Sequence, residues 1–265
     1  MKYFLITSIL LFSLDFFGQE TTGHRQREIG ITLGVSKWNI QEHRFSRRVK
    51  PTSIASYGLF TKSQSEQSRF DFSATFGLNM KPQSGTAIRY GLINPQMDFT
   101  YQRRVGNIWL GPFLSSETLI NIPFNTSQSF NNNPVSYTGV TSLGIAGDYN
   151  LGLVDDRITV NTGAQAALIS HLIRPAYAHP YPEGFLDEEV FDPTREGIAK
   201  AIAKSGKIRS IKNVQSFRIR FGISYMLGDK FKIGLQYESQ LLRVKEEKSL
   251  NATKQDLLLS LSYVY

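Results

Sequence analysis

No cysteine occurs in the 265 residues. Disulfides are therefore excluded as the device that holds the fold, as are thiolate chemistry and a lipid-anchoring cysteine. Histidine is scarce: the four present show no metal-ligand spacing, and no phosphate-binding glycine loop leads from a strand into a helix. Neither a metal nor an organic cofactor is expected. Beyond residue 18 there is also no apolar run approaching the ~20 residues that a membrane-spanning helix needs. If the folded chain lies in a membrane, it must lie there as strands.

What the chain does have is apolar and aromatic content, 41% and 12%, spread over its length with 21 glycines, which fits one folded unit without bulk disorder. Its first residues, MKYFLITSILLFSLDFFGQ, combine Lys2, an apolar run from Tyr3 to Leu14 and the small Gly18. That is the layout of a secretory signal peptide, although Phe16 departs from the small-residue rule at the cleavage site. The expected division is a signal peptide over 1–18 and a single barrel domain over 19–265.

From residue 27 onward the pattern is period two. Phe217, Ile219, Phe221, Ile223 and Tyr225 alternate with Arg218, Arg220, Gly222 and Ser224; Phe231, Ile233, Leu235 and Tyr237 alternate with Lys232, Gly234, Gln236 and Glu238. Phe70, Phe72, Ala74, Phe76, Leu78 and Met80 do the same against Asp71, Ser73, Thr75, Gly77 and Asn79. Continued along the chain, this predicts about ten strands, near 27–39, 52–61, 68–80, 94–104, 107–118, 137–150, 157–170, 212–226, 230–244 and 254–265. Short connections alternate with longer ones, up to the stretch 171–211. All short turns then fall at one end of an antiparallel meander and the long loops at the other. The fold class predicted is all-β, an up-and-down transmembrane β-barrel with a long, partly helical outer loop.

Period two alone does not say which face meets lipid, since a soluble barrel uses it with the apolar set inside. Strand lengths suited to a tilted crossing and an even strand count favour the membrane. So does the gathering of Tyr101, Tyr149, Tyr225, Tyr263 and Tyr265 near the short-turn ends, as an interfacial girdle requires. The last stretch, QDLLLSLSYVY, places Leu257, Leu259, Leu261, Tyr263 and Tyr265 on one face. In those residues it resembles the C-terminal assembly signal of bacterial outer-membrane β-barrels, and with the exported start the whole mature chain is similar to the small barrel families of Bacteroidota. The resemblance implies outer-membrane localisation after export through the inner membrane, and engagement of the barrel assembly machinery. It carries no catalytic residues.

A barrel this narrow leaves little room inside. The expected lumen holds Asp71, Asp98, Asp148, Glu238 and Asp256 beside Arg218, Arg220 and Lys232. Confined charges of opposite sign should pair, making a salt-bridged plug; the other reading is a narrow charged pore for small solutes. In the loop 171–211, an acidic cluster at Asp187, Glu188 and Glu189 precedes a predicted helix with Asp192 as N-cap, Pro193 at the first turn, Gly206 as stop and a basic end at Lys200, Lys204, Lys207 and Arg209. Such a loop could fold over the mouth or contact an envelope protein partner.

The net charge of +8 lies partly in Arg44, Arg47, Arg48 and Lys50, which suit the phosphates of lipopolysaccharide; nucleic acid is not an expected partner of an exported barrel. For a rim-site lipid hydrolase, the third functional alternative, Ser170 and His171 are the nearest approach to a nucleophile and base. Adjacent strand residues point to opposite faces, and His43 and His179 belong to no motif, so a non-enzymatic role is expected.

Overall fold

A computed structural model describes residues 25–42, 50–79, 89–124, 136–154, 157–174, 206–245 and 249–265. They form β1 (Gln26–Glu42), β2 (Lys50–Gln64), β3 (Ser68–Asn79), β4 (Arg89–Val105), β5 (Ile108–Phe124), β6 (Ser136–Leu153), β7 (Ile158–Ile173), β8 (Lys207–Ser210), β9 (Val214–Leu227), β10 (Phe231–Val244) and β11 (Leu250–Val264). Every pairing is antiparallel. Each strand bonds the next in sequence, except that β7 pairs with both β8 and β9, and β11 returns to β1. The sheet is a closed barrel. Because β8 and β9 run head to tail along β7, eleven strands make ten staves.

The seam closes along its whole length, from Glu42↔Leu250 to Glu28↔Val264. Beyond that register Arg27 and Tyr265 exchange backbone hydrogen bonds, each of 2.9 Å. The return of β11 to β1 removes the two lateral edges that an open sheet would have, which is the condition for burying strands in lipid. The turns at this end are tight. Between β4 and β5 only Gly106 and Asn107 intervene, and Gly106 takes φ +62°, as the first central residue of a type II′ hairpin turn must.

Seven of the ten predicted strands are longer than their alternation predicts, mostly at the loop end, while β3, β9 and β10 match to within a residue or two. The stretch expected as a loop from 171 to 211 is in part sheet: Ser170, His171 and Leu172 pair with Arg209, Ile208 and Lys207. Gly206, Lys207 and Arg209 therefore do not end a helix. They lead into or belong to β8, which backbone pairing with β7 holds extended. The remainder of the predicted helix and its acidic cluster fall outside the described residues. The connection between β10 and β11, expected among the longer ones, spans only 245–249.

Which face is apolar is now observable. One large side chain from each stave illustrates it: Ile31, Leu59, Phe76, Met97, Leu110, Ile145, Ile169, Phe221, Leu235 and Leu259 point outward and are each 44–63% exposed. A contiguous apolar belt around the full circumference is untenable in water and is what hydrocarbon requires. The soluble alternative, with its apolar face inside, fails here. At the turn end Tyr149, Tyr225, Tyr263 and Tyr265 stand on the outer face, with Phe231 packed on Tyr263 at 5.5 Å and Tyr263 stacked on Tyr265 at 5.9 Å between ring centroids. No helix among the described residues is long and apolar enough to cross a membrane.

Candidate functional site: the barrel interior

Inward-facing positions of the strands bring charges from distant staves together. All eight residues expected in the lumen line one interior cavity. Arg218 on β9 reaches across to Asp98 on β4, Nη1 to Oδ1 at 2.9 Å, and its Nε lies 3.1 Å from Glu238 on β10. Arg220 pairs with Asp148 on β6 at 2.7 Å, and Arg69 on β3 approaches the same carboxylate at 3.6 Å. Lys232 meets Glu28 at 2.9 Å, and Ser262 donates to that carboxylate at 2.7 Å. Lys254 on β11 sits 3.0 Å from Asp256 and donates to Gln96 across the lumen at 2.9 Å, while Gln240 donates to Glu117 on β5 at 2.6 Å. Many of these bonds span the interior instead of running along one wall. They therefore occupy the path a solute would take.

Backbone economy at one position makes the Arg220–Asp148 pair possible. Gly163 lies between Asp148 and Arg220 in register, and a Cβ there would come within 1.9 Å of Asp148 Oδ1. Only a residue without a side chain lets the ion pair pass over β7.

The lattice contains members that the period-two reading passed over: Glu28, Lys62, Arg69, Glu117 and Lys254. A signal was present. Arg69 and Lys254 stand two residues from Asp71 and Asp256, hence on the same face.

Toward the loop end the interior changes character. Trp38, Ile54, Leu92, Leu119, Val140, Leu172, Val214, Leu242, Val244, Leu250 and Ala252 form one contiguous cluster drawn from nine strands, every member 5% exposed or less. These side chains point inward near the loop ends of their strands and pack against one another there. They make an apolar septum above the ionic lattice. The interior is not polar at this level, because close packing against neighbouring side chains satisfies apolar groups there as well as lipid would. The two layers touch at Trp38, whose ring has Lys254 Nζ 5.5 Å from its centroid.

Below the septum lies a cavity of about 630 Å³. It runs from Gln96, Asp98 and Lys254 down to Gln26, Gln64, Gly152 and Met226 at the turn end. Its walls carry acceptor atoms without a protein donor, Asp71 Oδ1 and Asp256 Oδ1 among them, which suits water. Among the described residues no cluster of histidines or carboxylates could hold a metal ion.

Of the other expected sites, Leu257, Leu259, Leu261, Tyr263 and Tyr265 all stand on the outer face of β11 or at its end. Ser170 points into the barrel and bonds Ser142 through their hydroxyls at 2.8 Å; His171 faces the other way, so the two make no nucleophile–base pair. Arg44, Arg47, Arg48, His43 and His179 lie outside the described residues, and Lys50 begins β2.

A closed antiparallel barrel, apolar outside and ion-paired within, defines the class: a transmembrane β-barrel. No protein-family model and no curated relative matches the chain. Solved structures with a similar barrel include the outer membrane protease OmpT from Escherichia coli, with a TM-score of 0.44, 8% identity and coverage of 91% of this chain and 96% of that one. The translocator domain of the autotransporter NalP from Neisseria meningitidis also gives 0.44, at 10% identity over 98% and 94%. Ail, the attachment invasion locus protein of Yersinia pestis, gives 0.33, at 10% identity over 90% and 98%. Such distant likenesses carry nothing about what this chain does.

Proposed function

We propose that the chain is a closed, non-enzymatic outer-membrane β-barrel whose role is structural, binding or accessory to an envelope complex, exercised from its loop end. The observation that carries this reading is the double closure of the lumen, by the apolar septum and by ion pairs that cross beneath it. Water leaves a narrow apolar constriction, and the paired charges below it offer a solute no free counter-charge. Export from residues 1–18, the C-terminal strand as an assembly signal, lipopolysaccharide at Arg44, Arg47, Arg48 and Lys50, and an envelope partner on the loop between β7 and β8 belong to the same proposal.

The 630 Å³ cavity is what favours the second reading, a small-solute channel. Single-channel recording in a planar bilayer decides between them. The folded protein is expected to be silent; discrete conductance steps would make it a channel and turn the lattice into a selectivity filter. Removing 176–204, which spares both strands, asks whether that loop adds to the closure. Silence is expected there too.

A further inference from the structure

The outer wall of the barrel is not smooth. Gly147, Thr162 and Ala164 stand side by side on β6 and β7, with Tyr149, Phe221 and Tyr237 rising around them. Between these walls runs an almost wholly apolar groove of about 430 Å³. It lies within the apolar belt, so it opens to the hydrocarbon phase and not to water. A methylene occupies about the space of a water, ~30 Å³ in the liquid, so the groove takes on the order of 14 of them. That is most of one acyl chain.

Two features choose between occupants. A second barrel would bring a convex wall, which meets ridges and leaves a recess between them empty; a flexible chain one methylene wide enters it. At the turn end, one hairpin away from the groove, Arg103 is exposed on the outer face beside the tight turn, where Val105 pairs with Ile108 on the groove's margin. Arg103 Nε reaches Tyr101 Oη at 3.4 Å on the outer face, which leaves the outer end of its guanidinium facing the level of lipid headgroups, whereas Arg104 shares the inward face with Gln102 and Trp109 and donates to the Gly106 carbonyl at 3.1 Å. Apolar recess and cationic rim lie in the order of a phospholipid's two parts.

We propose that this groove is a binding site for one glycerophospholipid of the turn-side leaflet, its acyl chain over Gly147 and Ala164 and its phosphodiester at Arg103. The proposal rests on the barrel being membrane-embedded, and the experiment separates the two. The protein is refolded in detergent supplied with equal amounts of phosphatidylglycerol and phosphatidylethanolamine, and native mass spectrometry counts the lipids retained. In parallel, flotation with vesicles of the same composition reports membrane insertion by itself.

One retained lipid per chain is expected, with phosphatidylglycerol preferred. Ala164→Phe fills the groove and should weaken retention about tenfold, with Gly147→Leu as a second filling variant; Ala74→Phe, equally bulky but on β3, should leave it unchanged. Arg103→Gln should abolish the preference for the anionic lipid. Equal retention by the filling variants, no retained lipid in a protein that floats, or a dimer that Ala164→Phe separates would each overturn the site. A protein that does not float at all would overturn the membrane reading together with it.

Discussion

The two levels of the barrel interior solve the same packing problem with opposite chemistry. Near the loops, eleven apolar side chains fill the cross-section and need nothing from one another but contact. Nearer the turns, charges from facing walls fill it, and each depends on a particular partner at a particular distance, as Arg218 depends on Asp98 and Glu238. The first arrangement tolerates repacking if volume is kept. The second is sensitive to the loss of any single member, because a buried charge left behind is costly. In the proposed function the upper layer is the seal, and the lower one sets which walls face each other.

Opening the upper layer should have the largest effect. Trp38→Ala combined with Leu242→Ala removes two fully buried members of the septum and the ring beneath which Lys254 sits. Conductance steps are expected where the parent gives none; a silent but folded variant would move the seal down into the ionic lattice. Second comes Arg218→Met, which strands Asp98 and Glu238. Such unpairing costs roughly 3–5 kcal/mol, so the barrel should unfold at a lower temperature on a heat-shift gel, and adding Asp98→Asn should recover part of the loss. Third, Gly163→Ala forces a methyl into the Asp148–Arg220 pair. Overpacking of this kind costs about 1–3 kcal/mol, seen as a lower urea midpoint at unchanged slope; an unshifted midpoint would mean that the pair can bow inward at no cost.

The contrast also explains what was legible beforehand. Alternation identified the ten staves and the outward and inward faces because lipid and ion pairs impose opposite chemistry on successive residues. It failed where that opposition disappears. Leu92, Leu119, Leu172, Leu250 and Ala252 all lie just beyond the predicted strand ends, at positions where the inward face also becomes apolar and period two fades. The eight charges expected inside were visible as polar residues between apolar ones, but not their partners across the lumen, which depend on stagger between staves. β8 was hidden for a different reason. Four residues, KIRS, carry no pattern of their own, and pairing with β7 is what makes them a strand.

One irregularity governs more than its size suggests. Between Leu143 and Gly144 the register of β7 slips by a residue: Gly144 faces Ala167, Leu143 faces Ile169, and Leu168 is passed over. The break between β8 and β9 answers it from the other side, where the Ile211 amide bonds the Leu168 carbonyl at 3.0 Å. In a structure of period two, one skipped residue is a change of phase. Before it, odd-numbered Gln165 and Ala167 look inward; after it, even-numbered Ser170 and Leu172 do. Had the strand kept its beat, Ile169, His171 and Ile173 would crowd the septum while Ser170 met hydrocarbon. A single uncounted residue thus works like a frameshift in space, deciding for the rest of the strand which side chains belong to the seal and which to the membrane.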